Sequence, residues 1–145
     1  MLLYGQWLLC SDGIVRPVLR GEVLAADGVT WVDTPFLLDT GADRTVLNTE
    51  ILNALRLPTT SATHSLAGVG GPSPSVIVET QIQVKRQGHA PAVFRGQFAA
   101  FTVAEALDMS VLGRDITNLF AVIIDRPQDV VCLLGPRHQY NIYES

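Results

Sequence analysis

Apolar and polar residues alternate along much of the chain with the period of two that a half-buried β-strand requires. The clearest stretch runs from Ser75 to Lys85. Its more apolar face carries Val76, Val78, Thr80, Ile82 and Val84. Turn residues follow at 86–89, and a second apolar stretch runs from Pro91 to Phe101. The two stretches are therefore predicted to form an antiparallel hairpin.

The amino-terminal part of the chain carries a second hairpin signal. Val15 to Leu24 predicts a strand, and Ala26-Asp27-Gly28 is a favourable turn between two apolar runs. We expect the return strand to cover Val29 to Val32. A short break at Asp33-Thr34-Pro35 then precedes a buried strand from Phe36 to Leu38.

A helical pattern follows this strand. Arg44 to Leu47 predicts another strand, and Asn48 is a favourable N-cap for a helix. Pro58 is expected to end that helix. Its apolar stripe, which we assign to the core, contains Ile51, Leu52, Leu55 and Leu57.

The carboxy-terminal part combines a short helix with strands. An apolar run at 110–112 leads into a glycine, after which Arg114-Asp115 opens a helix. Ala121 to Asp125 is apolar and fits either a continuation of this helix or a new strand. Val130 to Leu134 predicts a strand, and a polar tail follows.

Composition limits the classes of protein to which the chain can belong. Its 145 residues suit one domain, covering 1–145. Hydrophobic residues make up 48% and charged residues 17%, which is consistent with a self-association surface. The net charge of -4 argues against nucleic-acid binding. Because His64, His89 and His138 share no spacing with acids or cysteines, we predict no metal site and no cofactor.

The cysteines and the amino terminus bear on the compartment. Cys10 and Cys132 are predicted to be reduced thiols, with a bridge between them as the alternative. The apolar segment 1–10 lacks a basic region and is too short to span a bilayer. We therefore expect a cytoplasmic protein without membrane contact.

One segment carries an acid at the end of an apolar strand. In Phe36-Leu37-Leu38-Asp39-Thr40-Gly41-Ala42-Asp43, the glycine permits a tight turn with little side-chain bulk around Asp39. A buried carboxylate is costly unless it is paired or has a function. The alternative interpretation is that Asp39 only caps the turn.

This segment resembles the active-site signature of aspartic proteases, and its single copy resembles the homodimeric retropepsin branch. Two later segments strengthen the resemblance. Leu66-Ala67-Gly68-Val69-Gly70-Gly71-Pro72 resembles the tip of the retropepsin flap, and Leu112-Gly113-Arg114-Asp115 resembles the segment before the carboxy-terminal helix. The resemblance implies an all-β fold, a closed β-barrel or sandwich with one or two short helices and a flap hairpin.

The resemblance also implies roles for particular residues. Asp39, Thr40 and Gly41 would form the catalytic turn. Arg114 would pair with Asp43 to support that turn. Substrate would contact Ala42, Asp43, Gly68, Val69, Gly70 and Val111.

The implied activity is aspartic endopeptidase cleavage of extended polypeptides by a homodimer, since two carboxylates are needed and the chain carries one such motif. The apolar terminal segments, about 1–10 and 128–145, would lie in the dimer interface. The alternative is a non-catalytic dimerisation or peptide-binding module with the same fold.

Overall fold

The computed structural model describes residues 1–62, 66–68, 71–136 and 142–144. Strands dominate these residues: β1 (Leu2–Tyr4), β2 (Gln6–Leu9), β3 (Val15–Leu24), β4 (Trp31–Leu38), β5 (Val46–Leu47), β6 (Thr60–Ser61), β7 (Leu66–Gly68), β8 (Gly71–Ser73), β9 (Ser75–Arg86), β10 (His89–Phe101), β11 (Val111–Leu112), β12 (Ala121–Asp125) and β13 (Val130–Leu134). The helices of the described ranges are α1 (Thr49–Leu55), α2 (Arg114–Thr117) and a 3-10 helix at Ala104–Ala106.

The main sheet closes on itself. Its strands follow the order β2-β3-β4-β11-β5-β10-β9-β6, and β3 also pairs with β9. In this closing contact Glu22 lies opposite Gln83 and Val23 lies opposite Ile82. Six strands therefore form a ring, and the expected all-β closed barrel with short helices is confirmed.

Alternating apolar residues fill the interior of this barrel. On β9, Val78, Thr80, Ile82 and Val84 are buried, which confirms the predicted face. β10 returns antiparallel to β9, with Phe98 opposite Val78, so the predicted hairpin is also confirmed. The largest fully buried side chains of the described residues are Phe36, Leu3, Leu19, Leu47, Leu55, Ile82, Leu112 and Leu133.

Strand β4 is longer than the sequence predicted. The expected break at Asp33-Thr34-Pro35 is wrong, because β4 is continuous from Trp31 to Leu38. The amide of Leu37 donates to Ser110 O, on the side away from β3. The main-chain nitrogen of Pro35, two residues earlier, also faces away from β3. Because proline has no N–H, its nitrogen could not donate there, and the β3–β4 ladder loses no hydrogen bond. A proline is tolerated here for that reason.

Helix α1 begins where its cap was predicted. The Oδ1 atom of Asn48 accepts a hydrogen bond from Ile51 N at 3.1 Å. The helix ends at Leu55, and Arg56 adopts a left-handed conformation with φ of 54°. The strand before the helix is shorter than predicted, because the N–H of Thr45 bonds the carboxylate of Asp115 instead of a neighbouring strand.

A strand from the start of the chain and two strands from its carboxy-terminal part form a second sheet. Its order is β1-β13-β12, so Ala121–Asp125 is a strand and not a helical continuation. Leu3 lies opposite Leu133 within the same chain, and both side chains are buried. The terminal strands therefore pair inside one chain, and this pairing needs no exchange of strands between subunits.

We predict that Asn48→Ala lowers the free energy of unfolding by about 1 to 2 kcal/mol, because an N-cap is lost. The same change removes the bond from Asn48 Nδ2 to Asp108 O, which measures 3.1 Å. Urea denaturation measures the effect. Asn53→Ala, at an exposed position of the same helix, is the control and should be neutral or slightly stabilising. Equal effects of the two changes would contradict the assigned cap.

Candidate active site

Two parallel strands bring the site together. Leu37 of β4 lies opposite Val111 of β11, and Leu38 lies opposite Leu112. Because the strands are parallel, their carboxyl ends lie at the same edge of the sheet. Asp39 N donates to Leu112 O at 3.3 Å. The turn after Asp39 consequently lies beside the turn that begins α2.

The turn after β4 folds back onto its own acid. Gly41 N donates to Asp39 Oδ1 at 3.0 Å, and Ala42 N donates to Asp39 O at 3.2 Å. The Asp39 residue is partly buried, whereas Thr40 and Gly41 are exposed. Among the described residues, Asp39 Oδ2 accepts no hydrogen bond. One carboxylate oxygen is therefore held by the turn, and the other is available to a further group.

Arg114 links the two turns. Its Nη1 donates to Thr40 O at 2.9 Å, and its main-chain N–H donates to Ala42 O at 2.8 Å. Its Nη2 forms the expected ion pair with Asp43 Oδ1. The Asp43 side chain is 81% exposed, so this pair alone adds little stability. The arginine contributes mainly by fixing the position of the main chain around the acid.

A second link between the turns was missed in the sequence. Thr45 Oγ1 donates to Asp115 Oδ1 at 2.7 Å, and Thr45 N lies 2.9 Å from the same atom. Gly113 N in turn donates to Thr45 Oγ1 at 3.1 Å. Thr45 is fully buried. The sequence shows Thr45 as a polar residue immediately before two apolar residues of a predicted strand. It does not indicate the partner of Thr45, because Asp115 lies 70 residues away.

The contact between the turns requires a glycine. A Cβ atom added to Gly113 would lie 2.2 Å from the carbonyl carbon of Arg44 and 2.3 Å from its oxygen. Real side chains essentially never approach backbone so closely. Gly113 therefore allows the α2 turn to pack directly against the main chain that follows the Asp39 turn.

Four further residues were predicted to contact substrate: Gly68, Val69, Gly70 and Val111. Val111 is 7% exposed and belongs to an apolar cluster with Val46, Phe101 and Ala106. Gly68 lies opposite Gly71 in the β7–β8 hairpin. The remaining flap-tip residues, Val69 and Gly70, lie outside the described residues.

Neither a metal-ligand cluster nor a helix able to span a membrane is present in the described ranges. They contain no group of three or more His, Cys, Asp and Glu residues placed to hold a metal ion. Their helices are too short or too polar to cross a membrane. Cys10 and Cys132 are both free thiols, so the alternative of a bridge between them is excluded in this structure.

Comparison with known proteins agrees with this geometry. The family model described as "Aspartyl protease" matches residues 24–116, which span both turns of the site. The chain belongs to the aspartyl protease family. A search of curated proteins finds no match.

Two solved structures place this aspartyl protease among the retropepsin-like folds. The chain is 26% identical to EIAV protease, solved with the inhibitor HBY-793, with a TM-score of 0.50. That match covers 71% of this chain and 86% of the other. The chain is 18% identical to a retropepsin-like aspartic protease from Rickettsia conorii, with a TM-score of 0.57. That match covers 92% of this chain and 88% of the other, and it supports the fold. The protein is an aspartic-type endopeptidase, and the family match favours this activity over the non-catalytic alternative.

We predict that Gly113→Ala lowers the free energy of unfolding by about 1 to 3 kcal/mol, because the added methyl group forces the two turns apart. Thermal or urea unfolding measures this change. The matched control is Gly96→Ala, since a Cβ there meets no atom within 4 Å. A Gly113→Ala protein as stable as the control would contradict the close packing described above.

Proposed function

We propose that this protease is active as a homodimer in which Asp39 of each subunit forms a catalytic pair. The observation that carries the proposal is one Asp-Thr-Gly turn per chain, with one oxygen of a partly buried carboxylate left without a partner among the described residues. A two-fold axis through this region would bring two identical turns together. Thr40, exposed beside the acid, is proposed to bond across the axis and steady the pair.

The proposed chemistry needs both acids. Two carboxyl groups about 3 Å apart cannot both be ionised, so they share one proton and titrate as a unit. The ionised member takes a proton from water, and the water oxygen forms a bond to the peptide carbonyl carbon. The protonated member donates its proton to the carbonyl oxygen. Return of a proton to the nitrogen then allows the C–N bond to break, giving a carboxylic acid and an amine.

The substrate is proposed to bind as an extended strand beside the catalytic turn. Both main-chain groups of Ala42 are already used, its N–H by Asp39 and its C=O by Arg114. We therefore assign the strand contacts to the carbonyl of Gly41 and the amide of Asp43. The hairpin containing Gly68, with Val69 and Gly70, is proposed to cover the substrate from the other side.

The terminal sheet is proposed to contribute to the dimer interface, together with the segments about 1–10 and 128–145. Exposed apolar side chains support this proposal, namely Tyr4, Leu9, Ile123, Ile124 and Val130. The free thiols of Cys10 and Cys132 support a reducing compartment such as the cytoplasm.

We predict that Asp39→Asn abolishes peptide cleavage, because an amide can neither activate water nor share a proton with its counterpart. Cleavage of denatured casein, with and without an aspartic-protease inhibitor, measures the activity. Asp33→Asn is a matched control, since Asp33 forms an exposed ion pair with Arg20. Circular dichroism and sedimentation should show an unchanged fold and dimer. Substantial residual cleavage by purified Asp39→Asn protein would overturn the assignment.

Removal of Arg114 is expected to weaken the dimer about tenfold in dissociation constant, equivalent to about 1.4 kcal/mol. The reason is that Arg114→Ala releases both Thr40 O and Asp43 from their contacts. Analytical ultracentrifugation over a dilution series measures the constant. Arg20→Ala removes a comparable exposed ion pair elsewhere and serves as the control. Identical dissociation constants for the two variants would rule out a role for Arg114 at the interface.

A further inference from the structure

A cavity of about 700 Å³ opens beside the catalytic strand. Part of its wall is apolar and comes from Leu8 of β2, Leu37 of β4, and Leu107 and Met109 of the segment before β11. The rest of its wall includes three charged residues, Asp12, Arg16 and Asp108. The four apolar residues are partly buried, whereas Asp12 and Asp108 are exposed, and we call this outer, charged part of the wall the rim.

The position of Leu37 connects this cavity to the active site. Leu37 lies two residues before Asp39, and residues separated by two point to the same side of a strand. Leu37 and Leu107 also pack against the same apolar cluster that contains Val111. The cavity therefore lies beside the end of the strand that leads into Asp39.

Two of the three charges at the rim compensate each other. Arg16 donates to both oxygens of Asp12, at 2.9 and 2.7 Å, and Ile14 N donates to the same carboxylate at 3.0 Å. Hydrogen bonds from Arg16 and then Ile14 hold the pKa of Asp12 at about 2. This pair is an internal bidentate contact, so neither member has its full charge available to a ligand.

Asp108 supplies the remaining charge. Its residue is exposed, and its carboxylate forms no ion pair with any other described residue. Its main chain is nevertheless fixed, because Asp108 O accepts from Asn48 Nδ2 at 3.1 Å. Ser110 Oγ, two residues later, accepts from Asn48 N at 3.0 Å. The cavity therefore presents one negative charge from an anchored segment.

We propose that this cavity binds a substrate side chain with a long apolar stem and a cationic end, lysine or arginine, whose charge pairs with Asp108. The proposal rests on the proposed protease function and assigns part of its specificity. The methylene groups of such a side chain would lie against Leu37, Leu107 and Met109. The charged end would reach the rim, where a carboxylate and a cation form a charge-assisted hydrogen bond. An acidic side chain would meet the uncompensated charge of Asp108 and be disfavoured.

The test uses sets of three fluorogenic peptides that differ only in carrying lysine, norleucine or glutamate at one position. One set is made for each of the four positions on either side of the cleaved bond. For the wild-type enzyme, we expect kcat/KM at one position to be about tenfold higher with lysine than with norleucine, with glutamate lowest. Raising the salt concentration should reduce this preference. Asp108→Asn should remove this preference, so that its kcat/KM values for the lysine and norleucine peptides differ by less than about twofold.

Asp33→Asn makes the same charge change on an exposed strand residue and should retain the lysine preference. Equal cleavage of lysine and norleucine peptides at every position by the wild-type enzyme would overturn the proposal, as would a preference for glutamate. A lysine preference that persists in Asp108→Asn would also overturn it. These results leave the protease function intact, because the norleucine peptide is still cut. No cleavage of any peptide by the wild-type enzyme would contradict the protease function as well.

Discussion

The parallel contact between β4 and β11 is the constraint on which the active site depends. It places the turn of Asp39 next to the turn of Gly113 and Arg114, which are far apart in sequence. Gly113 permits main-chain contact that any side chain would block. Arg114 and Asp115 then bind opposite ends of the segment that follows the acid. This junction and the bond from Gly41 N to Asp39 Oδ1 within the turn together position the acid.

One chain provides only half of the proposed catalytic machinery. Within the Asp39 turn, Gly41 N donates to one oxygen of the acid, and the other oxygen has no partner among the described residues. Main-chain groups of Gly41 and Asp43 are proposed to bind an extended peptide. The charged cavity beside Leu37 is proposed to hold one substrate side chain. Catalysis, binding of the extended substrate and side-chain specificity are therefore proposed to lie at one edge of the sheet, where β4 and β11 end.

Local patterns in the sequence were sufficient for much of this fold. The alternation on β9 and the cap at Asn48 are confirmed because each depends on residues close in sequence. The break predicted at Asp33-Thr34-Pro35 is wrong, since the orientation of Pro35 relative to β3 depends on strand pairing and not on local propensity.

The site was predictable only where a motif marked it. Asp39 and its neighbours, and the pair between Arg114 and Asp43, followed from the resemblance to a known signature. The bonds between Thr45 and Asp115 join residues 70 positions apart, and no local pattern indicates that these two side chains meet. The cavity likewise draws its walls from separate segments, so its combination of apolar and acidic residues appears only in the folded chain.

The most direct measurement of the central claim is a subunit-mixing experiment. A fixed amount of wild-type protein is equilibrated with increasing amounts of Asp39→Asn protein, and peptide cleavage is followed. If the two acids act as a pair, mixed dimers are inactive, and activity should fall toward zero as wild-type subunits are captured. Activity that stays constant at high excess of the variant, while sedimentation of labelled subunits confirms that mixed dimers form, would contradict the account.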